Sequence, residues 1–117
     1  MARIRINLTI QKHKGYIRLS MDAARLLGKP SYMRILLNPE TKELGFQPST
    51  RDDPKALKLP YSEKERVVIC SKLLSERVYE LCQWNENGTY RTRDYYLSPE
   101  NILMFKLLSA KDFSKPR

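Results

Sequence analysis

Residues 15–28, GYIRLSMDAARLLG, constrain the fold more than any other stretch of the chain. Gly15 is free to take the positive φ of a tight turn. Residues 16–19 alternate apolar and polar, the period of a half-buried strand. Ser20 is a good helix N-cap, and Asp22 complements the dipole in the first turn. Ala23, Ala24, Leu26 and Leu27 give one short amphipathic helix, stopped by Gly28 and Pro30. A strand that passes directly into a helix and then halts leaves little room for any other arrangement.

The flanks extend this unit. Residues 3–10 alternate strictly, with Ile4, Ile6, Leu8 and Ile10 on one side and Arg3, Arg5, Asn7 and Thr9 on the other. That period predicts a strand with a polar, basic outer face. Residues 11–15 are its turn, which makes residues 16–19 the returning strand of a hairpin. Residues 32–37 and 44–47 predict a second hairpin around Asn38-Pro39-Glu40-Thr41, a type I turn sequence. The first half is therefore β-β-α-β-β. Residues 48–60 collect Ser, Thr, Asp and Pro and predict a linker.

In the second half, residues 66–70 (RVVIC) favour a strand. A helix starting at Ser62, with Glu65 completing a capping box, is the rival. Leu73, Leu74, Val78, Leu81 and Cys82 are spaced for a helix, ended by the Asn85-to-Gly88 turn. Residues 90–97 and 102–108 predict another hairpin around Pro99-Glu100, and the tail from Lys111 is expected to fray. The halves share an order of elements: a strand ending in serine (Ser20, Ser71), a helix, a strand, a Pro-Glu turn, and a strand with phenylalanine (Phe46, Phe105). This order predicts an α+β fold of duplicated β-α-β-β units forming a β-rich core with two short helices. Residues 1–48 are the first unit, 49–62 the linker, 63–110 the second unit and 111–117 the tail, within one compact domain.

Charge narrows function. The chain carries a net charge of +9. Residues 1–60 hold 12 Lys/Arg against 5 Asp/Glu, and the remainder 10 against 8. A polyanion is the obvious partner for such a surface, and a merely soluble basic surface is the plain alternative. No Gly-rich phosphate loop, metal-ligand cluster or nucleophile with a matched base occurs, so neither enzyme activity, catalytic residues, a metal nor a cofactor is expected. Cys70 and Cys82 lie in apolar sequence and predict core thiols. His13 falls in a turn, and Trp84 is expected to plug the core or a helix end. No apolar run is long enough for a membrane span, and the first residues lack a signal-peptide core, so a cytoplasmic protein is expected.

Gly15, the strand end Ile17-Arg18-Leu19-Ser20 and the helix end Ala24-Arg25-Leu26-Leu27-Gly28 resemble the swapped-hairpin domain of AbrB/SpoVT-type transcription factors and antitoxins. The resemblance covers residues 3–48, and the tandem arrangement is similar to that of MraZ proteins. Ser20 stands where that family has proline, Lys14 where an acidic residue often precedes the glycine, and the second half lacks the arginine–glycine helix end. The resemblance implies a swapped-hairpin-like core and DNA binding through Arg3, Arg5, Lys12, Lys14, Arg18 and Arg25. Arg91 and Arg93 share a strand face and extend the basic surface. Six neutralised phosphates would give a log–log salt slope near about −5. Bland roles compete: Arg3 and Arg5 can protect a strand edge, Arg25 can pair with Asp22, and Tyr90, Tyr95 and Tyr96 can pack cross-strand instead of stacking on bases. The functional expectation is a DNA-binding regulator or antitoxin-like module. The alternative is a non-enzymatic protein–protein interaction factor of a mobile element (an inhibitor, adaptor or anti-CRISPR-like protein) with an acidic protein partner. Either a monomer with internal pseudo-symmetry or a homodimer fits.

Overall fold

Gly15 sets the first turn with φ +66°, and its N–H donates to the Lys12 carbonyl at 2.9 Å. Around it the computed structural model, which describes residues 4–61 and 66–112, forms the hairpin β1 (Leu8–Gln11) and β2 (Tyr16–Ser20). Ser20 ends β2 and accepts the Ala23 N–H to start α1 (Met21–Leu26). Gly28 and Lys29 then turn through positive φ and release the chain. The hairpin β3 (Tyr32–Asn38) and β4 (Glu43–Ser49) follows, with the Asn38 carboxamide accepting the Glu40 and Thr41 N–H groups in its turn.

The remaining elements are β5 (Leu57–Lys58), β6 (Arg66–Cys70), α2 (Lys72–Cys82), β7 (Thr89–Thr92), β8 (Tyr95–Leu97), β9 (Leu103–Lys106), a 3-10 turn (Leu107–Ser109) and β10 (Lys111–Asp112). They make two antiparallel five-stranded sheets. The first has the order β10-β7-β1-β2-β6 and the second β5-β3-β4-β9-β8. With two helices among the described residues, the fold is sheet-dominated. A radius of gyration of 13.7 Å matches one compact domain.

Period two decides what lies between the sheets. Leu8, Ile10, Ile17, Leu19, Val67 and Ile69 point inward from the first sheet. Met33, Leu44, Phe46, Leu103 and Phe105 fill the core from the second. Phe46 meets Phe105 edge to face at 5.9 Å. At the end of α2, Trp84 stacks on Tyr90 at 4.3 Å, and both rings meet Tyr79 edge-on. Trp84 is thus a helix-end plug, and Tyr90 packs against it. The Tyr79 hydroxyl lies 2.8 Å from the Ile10 carbonyl and 2.6 Å from the Gly88 carbonyl. Burial pushes its pKa up to about 12.

Several expectations need correction. The strand predicted over residues 3–10 begins only at Leu8. Upstream, the Asn7 N–H goes to Ser20 Oγ and the Arg5 N–H to an Asp22 carboxylate oxygen. Side-chain acceptors of the α1 start thus take these two N–H groups, although the Asn7 carbonyl still accepts the Ser20 N–H at 3.2 Å, and Ile4 is left 76% exposed. Thr9 lies on the outer face as expected but is buried, because β1 is the central strand and Arg91 lies over it, its Nε bonded to Thr9 Oγ1. The predicted linker contributes the end of β4 and all of β5, which pairs with β3. Residues 66–70 are a strand, while the helical start at Ser62 lies outside the described residues. Helix α2 ends early, at a left-handed Gln83. The strand predicted over residues 90–97 breaks at Arg93 and Asp94, so β7 belongs to one sheet and β8 to the other. Lys111 and Asp112, expected to fray, pair with β7. Cys70 is exposed and not a core thiol, since alternation along β6 sends Val67 and Ile69 inward; Cys82 does pack against the core.

Candidate nucleic-acid interface

The outward side chains of the first sheet follow from its register. On β2 they are Tyr16 and Arg18, because Ile17 and Leu19 are inward. Arg18 faces Thr9 on β1, Thr9 faces Arg91 on β7, and Arg91 faces Lys111 on β10. Three cations and one threonine therefore form a single row across four strands. At about 4.8 Å per strand step the row spans about 14 Å.

Local contacts fix the two inner arginines. Arg91 Nε donates to Thr9 Oγ1 at 3.0 Å. The Arg18 guanidinium lies 5.3 Å from the centroid of the Tyr16 ring, and its Nη2 donates to the Tyr16 hydroxyl at 3.4 Å. Arg93 follows Arg91 by two residues and is exposed. Burial, and next the charges of Arg18 and Arg93, lower the Arg91 pKa from its ordinary value. Arginine nevertheless stays protonated at neutral pH.

Two depressions meet at Arg93. One, of about 500 Å³, is lined by Arg91, Arg93, Asp94, Ser109 and Lys111. Its acidic member, Asp94, accepts the Ser109 hydroxyl at 2.7 Å. The other, of about 380 Å³, is lined by Ile4, Arg5, Ile6, Asn7, Arg93 and Tyr95.

The residues singled out in the sequence do not form one patch. Arg18 and Arg91 sit in the row; Arg93, expected on the same strand face as Arg91, lies past the end of β7 and only borders the row. Arg5 lies at the end of the sheet, beside Arg93 in the smaller depression. Arg25 makes an ion pair with Asp22 at 2.9 Å. The Arg5 N–H, and next Arg25, hold the Asp22 carboxyl below its usual range. Lys12 and Lys14 occupy the opposite end, at the β1–β2 turn; Lys12 Nζ is 3.7 Å from a Glu86 carboxylate oxygen, and Lys14 and His13 are exposed. Arg3 lies outside the described residues. Lys111 and Tyr16 were missed. Lys111 belongs to a two-residue strand set off from β9 by a 3-10 turn, and no periodicity that short is visible in sequence. Tyr16 was visible in the alternation of residues 16–19, but only the register places it beside Arg18.

Among the described residues no group of three or more His, Cys, Asp or Glu side chains could hold a metal ion. No helix among them is long and apolar enough to cross a membrane. Neither a protein-family model, nor a curated protein, nor a solved structure matches this chain.

Proposed function

We propose that the chain is a DNA-binding module of the regulator or antitoxin kind, and that it contacts DNA with the outer face of the first sheet. The observation that carries this is the cross-strand row of Arg18, Arg91 and Lys111, with Arg93 beside it. A flat row of about 14 Å is comparable to the roughly 12 Å width of the major groove, so its ends can reach phosphates across it. The arginines supply planar donors for phosphates or guanine edges, and Lys111 acts as a point charge. The resemblance to swapped-hairpin DNA-binding domains agrees in kind and differs in place, since the sheet face replaces the β1–β2 turn as the centre of contact.

The two halves read as copies of one β-α-β-β unit around a swapped-hairpin-like core. Support comes from the paired serine caps, Ser20 accepting from Ala23 and Ser71 from Leu74, at the ends of the adjacent antiparallel strands β2 and β6. The divergence is at β7, which joins the first sheet, whereas its counterpart β3 lies in the second.

The test is titration of a labelled 20-bp duplex at low salt, about 50 mM, where non-specific binders are still tight. Wild type and the Lys55→Gln control are expected to bind, and the combined R18Q, R91Q, R93Q and K111Q variant is expected to lose binding while keeping its Trp84 fluorescence. Failure of wild type to bind refutes the proposal. A second reading, a protein partner, is favoured by the exposed edge residues Tyr96 and Leu97, 41% and 44% accessible, which a phosphate backbone does not need.

A further inference from the structure

Resting on that DNA-binding reading, we infer that the depression lined by Ile4, Arg5, Ile6, Asn7, Arg93 and Tyr95 takes one unpaired nucleotide, so that the module prefers DNA containing an unpaired base. The volume, about 380 Å³, lies in the range of small-ligand sites. Its lining divides by chemistry in the way a nucleotide does. Ile4, Ile6 and the Tyr95 ring supply apolar surface for a base, the Asn7 carboxamide can both donate to and accept from a base edge, and Arg5 and Arg93 carry charge for the phosphates.

The wall is built and held in place. Residues 4–7 leave the ladder, yet their backbone is tied to the start of α1 by the Arg5 N–H to Asp22 at 2.8 Å and the Asn7 N–H to Ser20 Oγ at 3.1 Å. The facing wall is set where the chain crosses from β7 to β8, and Tyr95 leans on Phe105 at 6.2 Å with 39% of its surface open. Core packing does not account for Ile4, which is 76% exposed beside two arginines.

Continuity with the basic row selects the ligand. Arg93 lines both depressions, so phosphates following Arg91, Arg93 and Lys111 lead directly to the smaller depression. Bases in a continuous duplex are stacked and paired and enter it only when flipped out, at a cost of about a few kcal/mol. A gap, a bulge or a single strand presents a free base at no such cost.

The experiment compares three DNA probes with equal numbers of phosphates: a duplex, a duplex with one extruded 2-aminopurine, and a single strand carrying the same base analogue. The expected result is at least about fivefold tighter binding of the duplex with the extruded base than of the continuous duplex, the lower end of what one stacked base contributes. Quenching of 2-aminopurine fluorescence is expected on binding. Tyr95→Leu is expected to abolish the quenching and the preference and to leave duplex affinity unchanged. Ile4→Ser, at a position too exposed to affect folding, is expected to reduce the preference in the same direction. Equal affinity for the two duplex probes, or equal losses on both in the variants, overturns the inference and leaves the DNA-binding reading standing. Absence of binding to every probe overturns both.

Discussion

Single residues in this fold carry loads that sequence type alone does not reveal. Gly15 combines a positive φ with a close approach to α2: a Cβ there would sit 3.2 Å from the Lys72 Cβ. Its carbonyl also accepts the Ser71 N–H at 2.9 Å. Gly15→Ala is therefore expected to destabilise the fold by about 1–2 kcal/mol in chemical denaturation followed by Trp84 fluorescence; an unchanged midpoint contradicts this. Asp53 is an acid-sensitive residue. Its carboxylate accepts from Arg34 Nε at 2.9 Å, Ser49 Oγ at 2.6 Å and the Lys55 N–H at 3.0 Å. These donors, Arg34 first, hold its pKa well below the ordinary carboxylate value. A depressed folded pKa stabilises the fold above the unfolded value of about 3.9, and that contribution is lost as pH falls through the folded pKa. Asp53→Asn is expected to lower the melting temperature at pH 7, with the gap from wild type closing as pH drops below about 4. A gap that is constant with pH contradicts this account.

At the scale of elements, the β-α junctions are the best-specified parts. Ser20 Oγ accepts two backbone N–H groups, from Ala23 and from Asn7, whereas Ser71 Oγ accepts one, from Leu74. Ser20→Ala is expected to cost about 1–2 kcal/mol and Ser71→Ala about 1 kcal/mol or less, compared by thermal melts. The reverse order contradicts the double role of Ser20. These junctions were legible because cap, period and stop signals are local: α1, β2, the β3–β4 hairpin and the strand at β6 all follow from adjacent residues. Illegible features depend on non-local partners. The fate of residues 4–7 is decided by acceptors on α1, and the break at Arg93 and Asp94 by the two sheets competing for one strand. The addition of β10 depends on β7. The basic face shares this limit: Arg18, Arg91 and Lys111 lie far apart in sequence, and only the β2-β1-β7-β10 order makes them neighbours.

For the molecule as a whole, charge and architecture give the functional account together. One sheet puts an apolar face into the core and a row of cations outside, with Arg5 and Arg93 extending it at one end. Net charge of +9 alone would describe a diffuse attraction, independent of which cations are removed. The proposed DNA-binding row makes a sharper claim: that five cations (Arg5, Arg18, Arg91, Arg93 and Lys111) contact phosphate and the others do not. The direct measurement is the dependence of duplex DNA affinity on salt. With five contacts the log–log slope is expected to be about −4.5, falling by about 0.9 for each of R18Q, R91Q, R93Q and K111Q and staying unchanged for K55Q. Equal slope changes for K55Q and the four row variants, or no measurable binding at about 50 mM salt, would contradict the account.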